Sequence, residues 1–407
     1  MRIGLFTDTY PPYINGVSTS TMMLKKALEK KGHRVYVVTV NPEGLKFQYE
    51  EKKHILRMPG IPIGIYDYRL TNIYSLKAIK IIKKWRLDLI HTQTEFGVGT
   101  FARIIAKQYK IPIVHTYHTM YEDYVGYITK GHFDKSSKKL VEYLTKFYCD
   151  KTVEELIVPT KKTYELFKEK YKVDRNIHIV PTGIEIERFY DEKINKNKVN
   201  LLKEKLGITN DDFIILYVGR LGLEKNVDFL IDGQAFFVKK NPKCKLLIVG
   251  DGPEFEKFEK QVKKLKIENQ VIFTGKVPWE EVPLYYSLSN VFATASTSET
   301  QGLTVIEAMA AGIPVICIDD ESFRNVVVDD LDGYLFENKR EYKKIMLNLM
   351  ENKEQLERLG KQARISSEVF SSKYFAERVL DVYKSALNRR PPKTFKEKIK
   401  EVIYGKE

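Results

Sequence analysis

The fold is decided by the stretch Val291-Phe292-Ala293-Thr294-Ala295-Ser296-Thr297-Ser298-Glu299-Thr300-Gln301-Gly302-Leu303-Thr304-Val305-Ile306-Glu307-Ala308-Met309-Ala310. It begins with an apolar run of strand length, passes through a polar loop and ends in small apolar residues at helical spacing. An apolar strand followed closely by a helix is typical of a parallel sheet covered by helices on both faces. The stretch therefore predicts an α/β protein.

The same pattern recurs along the chain in two series, and the predicted strands are the following. The first series comprises Ile3–Thr7, Arg34–Thr39, Leu87–Thr92, Ile111–Thr116, Leu156–Pro159 and Ile177–Pro181. The second comprises Phe213–Gly219, Cys244–Gly250, Val271–Gly275, Val291–Ala295, Pro314–Ile318 and Gly333–Phe336. Two series predict two facing α/β domains with a cleft between them, at 1–190 and 191–372. An amphipathic helix and a basic tail are expected at 373–407.

Charge is distributed unevenly between the two halves of the chain. The net charge is +14, and residues 1–190 contain 32 Lys and Arg against 20 Asp and Glu. Such an asymmetry favours a polyanionic partner, and both nucleic acid and an anionic membrane surface fit it. No zinc-ligand spacing, helix-turn-helix or base-stacking motif accompanies the charge, so no nucleic-acid partner is expected.

Targeting and redox signals are sparse. No run approaches the ~20 apolar residues that span a bilayer, and the N-terminus does not resemble a signal peptide. Cys149, Cys244 and Cys317 lie too far apart in sequence to suggest a disulfide framework or a paired metal motif. We therefore expect a cytoplasmic location.

The strongest chemical signal is the pair Glu299 and Glu307, eight positions apart around Gly302. A loop and helix N-terminus beyond a buried strand offer backbone N–H groups to an anion such as a diphosphate. The carboxylates suit hydroxyl groups, so that one would hold a sugar ring and the other a ribose. The alternative is a solvated pair of glutamates around an ordinary loop.

Three further segments follow predicted strands. Arg220 and Lys225 offer a planar fork and a point charge that suit pyrophosphate oxygens, or else are two surface cations beside a turn. Gly16 ends a proline-rich turn and would let the backbone approach a ligand, although this signal is weak by itself. His118 follows the fourth strand, and a structural and a functional role are equally open for it.

Together these motifs resemble the retaining glycosyltransferases of family four, within the glycogen-synthase-like superfamily. The resemblance extends over nearly the whole chain and includes the turn at Gly250-Asp251-Gly252-Pro253. It implies the GT-B fold, which consists of two facing Rossmann-like domains with a C-terminal helix that returns to the N-domain. The N-domain would bind the acceptor and face the membrane, and the C-domain would bind a nucleotide sugar.

The resemblance also implies roles for individual residues. Arg220 and Lys225 would neutralise the donor diphosphate as it departs, Glu299 would hold the sugar hydroxyls, and Glu307 would bind the ribose. His118 would contact the transferring sugar near the reacting carbon.

The remaining implied donor contacts are made largely by the backbone. Gly302, Leu303 and Thr304 would touch sugar and phosphate, the segment from Gly275 to Val277 would flank the base, and Gly16 would reach the phosphates. Arg220, Lys225, Glu299 and His118 make up the expected catalytic set.

A finer resemblance concerns the acceptor. The segments around Glu299 and His118 are similar to those of the bacterial diacylglycerol α-glucosyltransferases, whereas many other family members have Phe where Gln301 stands. This likeness implies glucose transfer from UDP-glucose to 1,2-diacylglycerol by a peripheral enzyme on the inner face of the cell membrane.

Two basic helical stripes fit such a location, and anionic lipids would be their partners. Their lysines are Lys77, Lys80 and Lys84 in the first helix and Lys135, Lys138 and Lys139 in the second. For each helix taken alone, an ordinary core-packed helix with a solvated outer face is the alternative.

No bound metal is expected, since the histidines show no paired ligand spacing beyond His115 and His118, and Mg²⁺ would at most stimulate without protein ligands. Other functions stay open at this stage. They are a family-four enzyme for phosphatidylinositol, a wall polymer or a soluble sugar, a nucleotide-sugar epimerase, and a two-domain binding module without chemistry.

Overall fold

The computed structural model describes residues 1–13, 15–62, 69–71, 73–118, 142–299 and 301–388. The chain forms two compact units. The first contains Met1–Pro159, Tyr164–Val180 and the chain from Ala376 onward, and the second contains Thr160–Thr163 and Pro181–Phe375. The domain limits expected at 190 and 372 stay predictions.

The first unit is built on an eight-stranded sheet in the order β10-β9-β8-β7-β1-β2-β4-β3. All neighbouring strands in it are parallel except β3, which runs antiparallel to β4. A separate antiparallel pair is formed by β5 and β6. The strands are β1 (Arg2–Phe6), β2 (Arg34–Val40), β3 (Gln48–Glu50), β4 (Ile55–Met58), β5 (Gly60–Pro62), β6 (Arg69–Thr71), β7 (Leu89–Thr92), β8 (Ile113–Thr116), β9 (Glu155–Val158) and β10 (Asn176–Ile179).

The second unit is built on a six-stranded parallel sheet in the order β13-β12-β11-β14-β15-β16. Apolar side chains cover both of its faces, as a parallel sheet requires. The strands are β11 (Phe213–Val218), β12 (Cys244–Val249), β13 (Val271–Phe273), β14 (Val291–Thr294), β15 (Val315–Ile318) and β16 (Gly333–Phe336).

Helices connect these strands, as expected for right-handed crossovers between parallel neighbours. They are α1 (Gly16–Lys30), α2 (Leu76–Trp85), α3 (Gly97–Tyr109), α4 (Lys161–Glu165), α5 (Lys196–Leu206), α6 (Val227–Phe237), α7 (Phe255–Leu265), α8 (Val282–Ser287), α9 (Leu303–Ala310), α10 (Glu321–Arg324), α11 (Lys339–Glu351), α12 (Lys353–Ser367) and α13 (Ser372–Asn388).

The last helix returns to the first unit, as predicted. Tyr383 of α13 is fully buried, and its hydroxyl lies 2.7 Å from Nδ1 of His91 on β7. Glu377, next to Ala376 where the helix enters the first unit, accepts a hydrogen bond of 2.7 Å from Lys31. The helix therefore contributes to the core and the surface of the first unit.

Each of the twelve predicted strands is present, with ends that differ by up to two residues. The sequence did not reveal β3 to β6. The strand β4 was missed because Arg57 interrupts its apolar run. In the structure Arg57 is buried, with its Nε 2.9 Å from Oε1 of Glu50 and one Nη 2.9 Å from the carbonyl oxygen of Pro11. An apolar-run criterion cannot recognise a strand that contains a buried charge, even when that charge is compensated by partners outside the strand.

Within the described ranges, no helix is both long and apolar enough to cross a bilayer.

Candidate active site

Glu299 and Lys225 meet in the loop that follows β14. The Lys225 Nζ donates a 2.6 Å hydrogen bond to Oε1 of Glu299, and the two side chains are 17% and 26% exposed. The same carboxylate oxygen accepts a 2.9 Å hydrogen bond from the hydroxyl of Ser296. The loop thus presents a carboxylate whose orientation is fixed by two donors.

Arg220 lies just beyond β11, on the same edge of the sheet as this loop. Its guanidinium pairs with the carboxylate of Glu224, four residues later. The segment Leu223–Lys225 forms a single 3₁₀ turn that brings Lys225 back toward the loop. The carboxyl ends of neighbouring strands β11 and β14 therefore place Arg220, Lys225 and Glu299 together, as parallel sheets place ligand-binding groups.

Gly302 forms the transition from the loop to α9. Its φ is +71°, and an added Cβ would lie 2.7 Å from Cε1 of Phe323. Both facts require glycine at this position. Leu303 and Thr304 occupy the first turn of α9, where backbone N–H groups lack helical partners and are available to an anion.

Glu307 lies one turn further along α9 and faces Tyr286 of α8. The buried tyrosine hydroxyl donates to Oε2 of Glu307 at 2.8 Å and lies 3.1 Å from the carbonyl oxygen of Thr304. Burial raises the pKa of Glu307 to about 7, although the Tyr286 hydrogen bond and the positive charge of Arg188 act in the opposite direction. Val277 packs against the same apolar cluster as Tyr286 and Leu303.

His118 and Gly16 belong to the first unit. Nε2 of His118 lies 2.7 Å from Oε1 of Gln93, and burial lowers the pKa of the imidazole to about 4, so it is neutral at physiological pH. Gly16 begins α1, whose N-cap Asn15 accepts a 2.9 Å hydrogen bond from the N–H of Ser18. An added Cβ at Gly16 would have nothing within 4 Å, so open space adjoins this backbone.

The basic stripe of α2 is exposed. Lys77, Lys80 and Lys84 lie on the outer face, whereas Ala78, Ile79, Ile82 and Trp85 are buried. Lys77 also sits 4.5 Å above the ring of Phe47. The second predicted stripe, with Lys135, Lys138 and Lys139, lies outside the described residues.

Sequence reasoning missed several residues that shape these sites. Arg188 stacks on Trp279, with its guanidinium carbon 3.1 Å from the ring centroid, and its charge acts on Glu307. Tyr286 and Gln93, which contact Glu307 and His118, were missed as well. Their partners are 21 and 25 residues away, so no local pattern could have found them.

One group among the described residues has the composition of a metal site. Glu95, His115 and Cys149 are buried together, with ligand atoms within 4.8 Å of one another. Both imidazole nitrogens of His115 are engaged, since Nε2 lies 3.0 Å from Glu95 and Nδ1 lies 2.8 Å from Thr92. Burial raises the pKa of the Cys149 thiol well above its usual range. The contacts of His115 make this group a buried hydrogen-bonding cluster.

Comparison with known proteins identifies the class. Residues 14–188 match the model of Glycosyltransferase Family 4, and residues 199–366 match that of the group 1 glycosyl transferases. The chain belongs to the family 4 glycosyltransferases, a conclusion that its overall similarity to curated relatives supports.

Two relatives are alpha-monoglucosyldiacylglycerol synthases. The protein from Acholeplasma laidlawii is 35% identical over 97% of this chain and 99% of its own length. The protein from Streptococcus pneumoniae (strain ATCC BAA-255 / R6) is 40% identical over 83% of this chain and 75% of its own length. The predicted family and its finer branch are thereby confirmed.

Solved structures agree on the fold. HepE of Anabaena, crystallised with UDP and glucose, gives a TM-score of 0.73 at 18% identity and covers 95% of this chain and 100% of its own. Sucrose-phosphate synthase from Thermosynechococcus elongatus gives 0.71 at 21% identity, covering 94% of this chain and 98% of its own. The predicted GT-B class, with two parallel-sheet domains, is confirmed.

Proposed function

We propose that this enzyme transfers glucose from UDP-glucose to 1,2-diacylglycerol with retention, which yields alpha-monoglucosyldiacylglycerol at a membrane surface. The observation that carries the proposal is the match to the Acholeplasma laidlawii synthase over 97% of this chain and 99% of that protein. A match over nearly all of both sequences includes the parts of both units that would contact donor and acceptor.

The donor half of the proposal is also supported by chemistry. HepE has been crystallised with UDP-glucose, and its fold is that of this chain. The second unit offers two cations, the backbone N–H groups of Leu303 and Thr304 at the start of α9 and two carboxylates on one sheet edge. Cations suit a diphosphate and carboxylates suit the hydroxyls of a sugar and a ribose, so the set matches a nucleotide sugar from end to end.

In the proposed mechanism, Arg220 and Lys225 stabilise the charge that develops on the diphosphate as the bond to glucose breaks. Glu299 holds the hydroxyls of the glucose ring and Glu307 those of the ribose. The backbone of Gly302, Leu303 and Thr304 binds sugar and phosphate, and Val277 flanks the base.

His118 is neutral, so its proposed role is to contact the sugar near the reacting carbon by hydrogen bonding, not as a cation. The departing diphosphate would accept the proton of the acceptor hydroxyl on the same face of the sugar, which gives retention without a covalent nucleophile. Gly16 would leave room for the N-terminal backbone to approach the phosphates. No protein-bound metal takes part in this scheme.

The membrane half of the proposal rests on charge. The exposed lysines of α2 lie beside exposed apolar side chains, since Leu76 is 66% and Tyr74 45% exposed. Each lysine near an anionic leaflet contributes about 1 kcal/mol, so several would hold the enzyme at the inner face of the cell membrane. Anionic lipids are therefore proposed as partners, and no nucleic acid is.

The test is an assay of purified enzyme with UDP-glucose and diacylglycerol in mixed micelles, with and without anionic lipid. We expect a lipid product one hexose heavier than diacylglycerol by mass spectrometry and an α-anomeric signal by NMR. Matched reactions replace diacylglycerol with phosphatidylinositol or a soluble sugar, or omit the acceptor. Product only with phosphatidylinositol or a soluble sugar would show that diacylglycerol is not the acceptor, and the enzyme would still be a glycosyltransferase. Conversion of the donor sugar in the reaction without an acceptor would indicate an epimerase.

A further inference from the structure

Gln301 makes an unusual pair of contacts in the loop between β14 and α9. Its side chain is 3% exposed. Its Oε1 accepts a 2.6 Å hydrogen bond from the N–H of Thr182, and its Nε2 donates a 2.9 Å hydrogen bond to the carbonyl oxygen of the same residue. One amide thus satisfies both backbone groups of a residue 119 positions away.

Thr182 lies where the chain has just entered the second unit, which resumes at Pro181. The next residues continue the pairing, because the N–H of Ile184 donates to the carbonyl oxygen of Phe370 at 3.0 Å and Ile184 accepts from the N–H of Ser372 at 2.8 Å. Four residues after Ser372 the chain returns to the first unit. The segment that enters the second unit at Pro181 and the segment that leaves it at Phe375 are therefore hydrogen-bonded side by side, and Gln301 is bonded to the first of them.

Gly183 lies between these contacts, where a larger side chain would not fit. A Cβ at Gly183 would lie 2.4 Å from Cβ of Phe375 and 2.8 Å from the carbonyl oxygen of Ser371. The passage segment, residues 181–184, is thus packed closely against residues 371–375. A group that is bonded to Thr182 is bonded to a closely packed part of the second unit.

The loop between β14 and α9 is also bound by other side chains. Ser322 of α10 donates a 2.5 Å hydrogen bond to the carbonyl oxygen of Glu299, and Lys225 pairs with the Glu299 side chain. Gln301 lies between Glu299 and Gly302, the residues proposed to contact sugar and phosphate. Its amide therefore fixes the part of the loop where a small displacement would move both contacts.

We propose that Gln301 is a positioning residue. Its two hydrogen bonds to Thr182 set the positions of Glu299 and Gly302 against the passage segment, and so determine donor affinity and turnover. The proposal rests on the donor site of the proposed function. Buried backbone groups require partners, so loss of the amide either leaves Thr182 unsatisfied or shifts the loop. A side-chain amide provides an acceptor and a donor side by side without charge.

The experiment compares the wild type with Gln301→Met, which removes both hydrogen bonds at similar volume. Gln234→Met is the matched control, because Gln234 is a fully buried glutamine in the same unit that donates to the carbonyl oxygen of Cys244 at 2.7 Å, remote from the loop in sequence. The measurements are kcat and KM with UDP-glucose, the affinity for UDP by calorimetry, and the thermal midpoint.

We expect Gln301→Met to lower kcat/KM at least tenfold. Gln234→Met should lower the thermal midpoint as much while kcat/KM stays within twofold of wild type. Hydrogen exchange at the Thr182 amide should accelerate in Gln301→Met alone. Equal kinetic effects of Gln301→Met and Gln234→Met, or wild-type kinetics in Gln301→Met, would overturn the proposal.

Calorimetry with UDP needs no acceptor, so it separates this proposal from the proposed function. An enzyme that binds UDP but does not glucosylate diacylglycerol would contradict the proposal that diacylglycerol is the acceptor. The positioning role of Gln301 would then be tested by the affinity for UDP. Loss of affinity in Gln301→Met but not in Gln234→Met would support it, and equal affinities would refute it.

Discussion

The Nζ of Lys225 lies 2.6 Å from Oε1 of Glu299, so the cation proposed for the diphosphate and the carboxylate proposed for the sugar are paired with each other. Arg220 is paired in the same way with Glu224. A diphosphate that binds these cations would compete with Glu224 and Glu299 for them. In the structure the pairing compensates these partly buried charges, since an unpaired charge there would be costly.

Replacing Glu299 by Gln should separate binding from turnover. Because Glu299 is proposed to hold the sugar, kcat/KM for UDP-glucose should fall about 100-fold, a typical loss when one stabilising contact in a transition state is removed. The affinity for UDP should not fall, since UDP lacks the glucose that Glu299 is proposed to hold. Steady-state kinetics and calorimetry with UDP measure the two effects.

Replacing Lys225 by Met should have the opposite pattern for UDP, with affinity lowered about tenfold or more by the loss of a charged hydrogen bond. Lys245→Met is the control, because Lys245 also forms a partly buried ion pair, 2.9 Å from Asp212. Wild-type UDP affinity in Lys225→Met, or an equal loss in Lys245→Met, would contradict the assigned role.

Glu307 should make donor binding depend on pH. Its pKa is raised to about 7, so the folded protein retains a proton between pH 4.5 and 7 that the unfolded chain releases, and stability should fall as pH rises through this window. An ionised Glu307 is the better acceptor for ribose hydroxyls, so affinity for UDP-glucose should rise through about pH 7. UDP-glucose suits this titration because it has no terminal phosphate with a pKa near 6.

Glu307→Gln removes the titrating group at nearly constant size. The variant should bind UDP-glucose more weakly at pH 8, with a flat profile between pH 5.5 and 8.5, and should lose less stability than the wild type over the same range. Calorimetry and thermal denaturation at each pH measure both quantities. An unchanged inflection in the variant would assign the titration to another group.

His118 should contribute to turnover without titrating near neutrality. Its pKa is lowered to about 4 from 6.5, so the fold favours the neutral imidazole, and the stability this gives is lost as pH falls below 6.5 toward 4. The ratio of kcat/KM between wild type and His118→Ala should therefore be large and constant from pH 5.5 to 8.5. Gln93→Glu places a charge beside Nε2 and should make that profile pH-dependent.

The basic face of α2 should bind anionic vesicles. Lys80→Gln combined with Lys84→Gln removes two exposed charges, and at about 1 kcal/mol each the partition coefficient should fall about thirtyfold at low salt. Lys260→Gln with Lys264→Gln is the matched control, since these exposed lysines have the same spacing on α7 of the second unit. Vesicle sedimentation measures the partition coefficient of each double variant. Equal losses would show that net charge, and not the basic face of α2, determines binding.

Prediction from sequence succeeded where the signal is local. The strand at Val291, the turn at Gly302 and the two glutamates lie within one stretch, and hydrophobic period and turn chemistry act over such distances. The strand β4 was missed because Arg57 interrupts its apolar run, and that arginine is compensated by Glu50 and by the backbone of Pro11. No window around β4 contains all of this information.

By itself, the sequence determined the class of fold, the strands that carry the site and the residue types presented beyond them. Only the tertiary structure decided which of these groups touch: Lys225 with Glu299 across 74 positions, Tyr286 with Glu307, and Gln301 with Thr182 across 119. The physical reason is the range of the interactions. Backbone preferences and hydrophobic period act between near neighbours, whereas hydrogen bonds and desolvation depend on which atoms the folded sheet brings within 3 Å or so.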